Sequence, residues 1–206
     1  MLTLEDFNQI SAHEKMDDFK KRFKDFAKSH NNSNMPEKLA RKLVYFLFGV
    51  LNRREDLQAT VLALGEIQTY FASRISVRFL ITYLLEMSNI ELRNRLLYYL
   101  EMVVAVPLIY ACHRACVNNR SDMRYVPEVL FNMAEGYGIL NIGVGQKCIM
   151  QCGKSQFLND ILFPNETHKP FNIDDNSAFS SGQVDVFFGK AFANKLNTVF
   201  MDGQGE

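Results

Sequence analysis

The sequence has no excess of charge of either sign. Its 206 residues include 23 Lys and Arg and 23 Asp and Glu, so the formal net charge is zero. Such a chain has no global field to attract nucleic acid or an acidic membrane. Residues 14–28 hold a local run of Lys and Arg, but Asp and Phe interleave with it, which is typical of a solvated helix face backed by a core face. We therefore expect no nucleic-acid partner.

Long apolar runs and a secretory signal are lacking too. The best membrane candidate, residues 96–117, contains Glu101, Pro107, His113 and Arg114. Its unbroken apolar part is too short to span a bilayer, so a buried helix is predicted there and no membrane span. The first residues are acidic where a secretory signal needs positive charge.

Cysteine is scarce, and its spacing does not match a disulfide framework. The four cysteines form the pairs Cys112/Cys116 and Cys148/Cys152. Four thiolates could hold a zinc ion in tetrahedral geometry. The usual Cys-x-x-Cys spacing is absent, however, which favours buried or loop thiols in a reducing compartment. A zinc-stabilised module stays open as an alternative, and metal analysis of the purified chain would decide it.

Residues 1–135 have the pattern of an all-helical region. Apolar residues recur there at the helical period, and the connections between the periodic segments are short. Predicted helices include 39–51, 57–71, 75–87 and 90–104. Asn89 stands where it would cap the last of them. Short helices with short connections favour antiparallel packing in a bundle or an irregular helical array.

The pattern changes after residue 135 to short strands, glycines and one helix. Strands are predicted at 139–144, 183–188 and 197–201, and a helix at 155–163. A P-loop GTPase domain begins with the same order of elements, which is strand, loop, helix, long loop, strand and strand. The predicted fold class is therefore α + α/β, with a helical region at 1–135 and an incomplete P-loop GTPase domain, with a parallel or mixed sheet, at 136–206.

The motif behind this prediction is Cys-Gly-Lys-Ser-Gln-Phe-Leu-Asn at 152–159. Backbone N–H groups at the start of a helix bind phosphate oxygens. Gly153 would let the backbone approach closely, Lys154 would neutralise the β- and γ-phosphates, and the Ser155 hydroxyl would bind Mg²⁺. Gln156 completes the nucleotide-binding residues predicted at this end of the site.

One position departs from the usual phosphate loop. The glycine expected five residues before Gly153 is replaced by Cys148, and the nearest upstream glycine, Gly145, would make the loop three residues longer. A solvated turn ahead of an amphipathic helix is the structural alternative. The functional alternative is a helical interaction or scaffold protein whose C-terminal part is a degenerate G domain that does not bind nucleotide.

A second motif, Asp-Gly-Gln-Gly, occupies residues 202–205. Asp202 would end a strand and hold a Mg²⁺-bound water, and the Gly205 N–H would meet the γ-phosphate. Gln204 is the catalytic candidate, because its amide could orient the attacking water. A polar chain end with good turn chemistry is the alternative. The hydroxyl that closes over Mg²⁺ is left open among Thr167, Ser177, Ser180 and Ser181.

Several stretches of the sequence, and the order in which they occur, resemble the interferon-inducible very large GTPases and the related up-regulator of cell proliferation proteins. The likeness covers roughly residues 57–206. The segments that carry it are 92–97, 105–109, 153–159, 168–171, 182–186 and 197–205. The resemblance implies a cytoplasmic and also nuclear protein that binds GTP with Mg²⁺ and self-associates through its G domain.

The resemblance also implies GTP hydrolysis in a longer parent protein. The chain ends before any Asn/Thr-Lys-x-Asp element that would read guanine, so GTP over ATP is implied by kinship alone. We expect a domain truncated after the Asp-x-x-Gly motif, with weak nucleotide binding at best and little or no turnover.

Overall fold

The structure is a computed structural model. It describes residues 1–10, 16–29, 36–52, 57–71, 77–100, 103–111, 123–130, 137–142, 154–162, 171, 184–191 and 196–203. The chain divides into two compact units, Met1–Tyr99 and Leu100–Glu206, called here the helical unit and the sheet unit. The division falls earlier than the predicted boundary at residues 135 and 136.

The helical unit contains the α-helices expected from the apolar periodicity. They are α1 Leu4–Gln9, α2 Met16–Ser29, α3 Pro36–Leu51, α4 Leu57–Phe71, α5 Val77–Met87 and α6 Ile90–Leu100. Side-chain caps explain two of the starts. Thr3 and Asp6 form a capping box at α1, and the Asn89 side chain accepts a hydrogen bond from the Leu92 N–H at 2.9 Å. The prediction that Asn89 caps a helix is confirmed.

The core of the helical unit is rich in phenylalanine. Phe19, Phe23 and Phe48 are fully buried, and Phe7 is 2% exposed. The Phe7 and Phe48 rings meet edge to face with centroids 5.1 Å apart. The Phe residues of the basic run in α2 therefore form a core face, as the sequence pattern predicts.

The described residues of the sheet unit form five strands, one 3-10 helix and one α-helix. The elements are β1 Val106–Ala111, β2 Met123–Tyr125, a 3-10 helix at Pro127–Leu130, β3 Tyr137–Ile142, α7 Lys154–Leu162, β4 Val184–Ala191 and β5 Leu196–Gly203. The strand order is β2-β1-β4-β5-β3. Among the described strands of this sheet, the β3–β5 pairing is parallel and the other three pairings are antiparallel. The chain is thus of the α+β class, and its described sheet is mixed rather than parallel.

The predicted buried helix in residues 96–117 is wrong for residues 103–111, the part after α6 that the structure describes. The N–H groups of Val103 and Val104 both bond to the Leu100 carbonyl, where α6 ends, and β1 begins at Val106. Pro107 cannot continue a helix interior. In β1 it lies at a register shift in the pairing with β4, a position where a missing N–H is tolerated. Among the described residues, no helix has the length and apolar character needed to cross a membrane.

Candidate functional site

The parallel strand pair determines where the site lies. β3 and β5 run side by side, with Ile142 opposite Gly203 at their carboxyl ends. The chain leaves β3 at this edge and next enters α7 at Lys154. The carboxyl edge of parallel strands, next to a helix N-terminus, is where α/β proteins bind phosphate groups. The connection, residues 143–153, lies outside the described residues, and so do Cys148 and Gly153.

The side chains of Ser155 and Asp202 meet at this edge. The Ser155 hydroxyl donates a hydrogen bond to the Asp202 Oδ2 atom, although the two residues are 47 positions apart in sequence. Ser155 is half-buried in the first turn of α7, and Asp202 is fully buried near the end of β5. The structure therefore brings together the two residues predicted to bind Mg²⁺.

Alternation along β5 explains why Asp202 faces α7. Phe200, two residues earlier, points to the same face and belongs to a buried cluster with Leu158 of α7. Phe187 of β4 is directly opposite Phe200 and joins this cluster with Ala105 and Phe171. The apolar contacts hold α7 over the sheet, so that the first turn of the helix reaches Asp202.

A second contact holds the middle of α7, at Asn159. Asn159 is fully buried; its amide donates to the Phe171 carbonyl at 2.8 Å and accepts from the Phe171 N–H at 3.1 Å. Both backbone groups of Phe171 are therefore satisfied by one side chain. Asn159 was not predicted as a site residue, and its one signal in the sequence is that it is polar and follows the core residue Leu158.

Asp185 was not among the site residues predicted from the sequence. This residue is 3% exposed and lies directly opposite Asp202 in the β4–β5 pairing. Its signal is present in the sequence: in an alternating strand, Asp185 shares a face with Phe187, which is expected in the core. A carboxylate on a core-facing position is rare, because burying charge is costly unless it is paired or bound to a metal.

The chemistry of this corner suits a hard divalent cation. Mg²⁺ prefers oxygen ligands and binds proteins through one or two carboxylates together with phosphate oxygens and water. A serine hydroxyl and a buried carboxylate in contact supply ligands of that type. Within the described ranges, no group of three or more His, Cys, Asp or Glu residues is arranged to hold a metal ion. A site here would therefore need oxygens from a ligand.

Several predicted site residues stay predictions. Gln156 is exposed on α7, and Lys154 is the first residue of that helix. The other residues that were predicted for the site or for zinc lie outside the described part of the chain. They are Gly153, Gln204, Gly205, the hydroxyl candidates Thr167, Ser177, Ser180 and Ser181, and all four cysteines. The zinc alternative is likewise untested.

Comparison with known proteins adds no relative: no family model matches the chain, and no curated protein or solved structure matches it. The resemblance to the very large GTPases stays a prediction from short motifs. A functional assignment must therefore rest on the contacts of Ser155, Asp202 and their neighbours.

Proposed function

We propose that the sheet unit is the first part of a P-loop nucleotide-binding domain of the GTPase type. In this proposal, Mg·GTP binds at the N-terminus of α7, between the residue 143–153 connection and the end of β5. The single observation that carries it is the hydrogen bond between Ser155 and the buried Asp202. These two residue types, at these two places, are what such a domain uses to hold Mg²⁺.

The topology supports the proposal independently of the motifs. β3 is followed by a connection and α7, then by β4, which is antiparallel, and by β5, which returns parallel to β3 and next to it. In this order the carboxyl ends of β3 and β5, at Ile142 and Gly203, lie side by side, with Asp202 next to that edge. A chance Gly-Lys-Ser ahead of a surface helix would not require a buried aspartate two strands later to contact its serine.

Each residue has a defined role in the proposed site. The Ser155 hydroxyl and the Asp202 carboxylate hold Mg²⁺, directly or through water, and the ion neutralises charge on the phosphates. Lys154 and the backbone of Gly153 bind phosphate oxygens, with Gln156 next to them on α7. The Gly205 N–H meets the γ-phosphate, and Gln204 orients the attacking water.

The finer parts of the proposal come from the resemblance to the very large GTPases. They are the preference for GTP over ATP, hydrolysis in a longer parent, self-association through the G domain, and a cytoplasmic and also nuclear location. For the chain as given, we propose weak binding with little or no turnover.

Titration with a fluorescent GTP analogue in the presence of Mg²⁺ tests the proposal. Wild type and Lys154→Ala are compared with Lys28→Ala, which removes an exposed lysine from α2. We expect Lys154→Ala to weaken binding at least about tenfold, since a lysine that contacts phosphate forms a charge-assisted interaction. Lys28→Ala should bind like wild type. Equal affinity of wild type and Lys154→Ala would overturn the phosphate-loop assignment.

A second candidate function is a helical interaction protein with a degenerate G domain. Cys148, at the position of an expected glycine, favours it. Under this alternative, the folded chain binds neither GTP nor ATP at millimolar concentration with Mg²⁺ present. A competition titration with unlabelled ATP in the same assay also reports the base preference.

A further inference from the structure

The strand β2 lies at one edge of the described sheet and is exposed along its whole length. It pairs with β1 on one side and is the terminal described strand on the other. Met123 is 42% exposed and Tyr125 is 55% exposed, and Arg124 between them is exposed as well. Met, Arg and Tyr are among the residue types enriched at protein–protein interfaces. The edge therefore has the composition of a contact surface.

The hydrogen-bond pattern shows which backbone groups of β2 face outward. Just after β2, the Val126 N–H donates to the Leu108 carbonyl at 2.9 Å. Bonded and non-bonded pairs alternate along an antiparallel ladder, so Arg124, two residues earlier, turns its N–H and C=O toward β1. The backbone groups of Met123 and Tyr125 point the other way, and within the described part of the chain they have no partner. They form a template for one more strand.

The charge at the centre of β2 selects what can pair there. A second copy of β2 in antiparallel register would place Arg124 opposite the same arginine of the other copy, and like charges directly opposite each other destabilise a sheet. A short edge strand with a charged side chain is a means by which proteins avoid such self-pairing. An acidic residue opposite Arg124 is instead attracted, and it would occupy a non-hydrogen-bonded pair, in which side chains are closest.

We propose that the edge of β2 binds an extended peptide segment of another protein, in which one acidic residue lies between two apolar residues. The backbone of the two apolar residues pairs with Met123 and Tyr125, and their side chains lie on the face that these two residues share. The acidic side chain lies on the opposite face, against the Arg124 guanidinium. This inference goes beyond the proposed function and needs no bound nucleotide.

Fluorescence anisotropy with labelled synthetic peptides tests the proposal on the full chain. The peptides are Thr-Val-Glu-Val-Thr and Thr-Val-Lys-Val-Thr, both blocked at their ends. We expect wild type to bind the glutamate peptide about tenfold more tightly, since a charge-assisted hydrogen bond takes the place of a repulsion. Arg124→Glu should reverse this order. The control Lys24→Glu makes the same change in net charge at an exposed position of α2 and should keep the wild-type order.

Methylated peptides test the backbone part of the proposal. N-methylation of one valine of the glutamate peptide removes an N–H that faces β2 and keeps every side chain. The lost hydrogen bond should weaken binding about fivefold. N-methylation of the glutamate, whose N–H faces away from β2, is the matched control and should have the smaller effect.

The outcomes decide for or against an acidic peptide at this edge. Equal affinity of wild type for the two peptides, or an unchanged order in Arg124→Glu, would overturn the proposal. A dimer seen by light scattering and altered by Arg124→Glu, without peptide binding, would overturn it in favour of a second copy of the chain. Arg124→Gln is measured in parallel and should abolish the preference without reversing it, so that a folding defect of one variant, detected by circular dichroism, does not decide the result.

Discussion

The helical unit and the sheet unit bury different kinds of polar side chain. The buried polar residues of the helical unit are the neutral hydroxyls of Thr60, Thr82 and Ser88. In the sheet unit they include three carboxylates, of Glu128, Asp185 and Asp202. Both statements concern the part of the chain that the structure describes.

This difference shows how each unit uses its polar groups. The Ser88 hydroxyl donates to the Leu84 carbonyl one turn earlier, at 2.6 Å, so the fold itself satisfies it locally. Asp202, in contrast, is bonded by Ser155 from a distant part of the sequence, on the edge where the strands end. A buried carboxylate costs more folding free energy than a buried hydroxyl, and the hydrogen bond from Ser155 offsets part of that cost for Asp202.

Among the substitutions that compare the two units, we expect Asn159→Ala in the sheet unit to lower the free energy of unfolding most. The substitution leaves both the N–H and the carbonyl of the buried Phe171 without their partner, and each unsatisfied buried group costs about 1–3 kcal/mol. We expect a loss of about 2–4 kcal/mol in the free energy of unfolding of the sheet unit. Urea denaturation followed by circular dichroism measures it. Asn159→Asp keeps the acceptor but places a buried carboxylate against the Phe171 carbonyl, so it should destabilise the unit at least as much as the alanine variant.

Asn89→Ala is the matched change in the helical unit and should have a smaller effect. Asn89 accepts one hydrogen bond from the Leu92 N–H at 2.9 Å at the start of α6, where water can replace it in part. Loss of such a cap costs about 1 kcal/mol. The same urea experiment applies, with Asn89→Asp as the variant that keeps the cap. A loss as large as that of Asn159→Ala would remove the contrast between the two units.

The smallest effect concerns the pH dependence of the helical unit. Hydrogen bonds from the Thr3 backbone N–H and then from the Thr3 hydroxyl lower the pKa of Asp6 below its ordinary value. A depressed pKa in the folded state adds stability that is complete above the unfolded pKa and is lost as the pH falls through the folded one. The loss should therefore occur below about pH 4.

Asp6→Asn tests this assignment. The variant should lose a small, acid-sensitive part of the stability at neutral pH and should be less sensitive to pH below about 4 than wild type. Thermal unfolding followed at several pH values measures it. An unchanged pH profile would show that the capping box at α1 does not contribute through the charge of Asp6.

The sequence predicts most elements of this fold because their patterns are local. The helices of the helical unit follow apolar periodicity, and α7 and β5 lie within one or two residues of their expected positions. β1 was missed because Val106–Ala111 is an apolar run, and such a run does not distinguish a buried strand from a buried helix. The segment is a strand because it pairs with β4, which is remote in sequence.

Only the candidate site residues that belong to a sequence motif could be predicted from the sequence. Ser155 and Asp202 were identified by spacing, and their contact supports the choice. Asp185 and Asn159 were not identified, since the burial of Asp185 depends on the strand register and the bonds of Asn159 depend on a contact across the chain. A polar residue on a core-facing position is the sequence signal common to both, and it is visible only after the strand and helix phases are known.

The central claim is that Ser155 and Asp202 form the cation end of a nucleotide site. A crystal structure of the chain with Mn²⁺ and a non-hydrolysable GTP analogue tests it most directly, because anomalous scattering locates the ion. The account predicts the ion at the N-terminus of α7, at coordination distance from the Ser155 hydroxyl and beside the Asp202 carboxylate, with the phosphates completing its ligands. An ion bound elsewhere, or an intact bond between Ser155 and Asp202 with no ion beside it, would contradict the account.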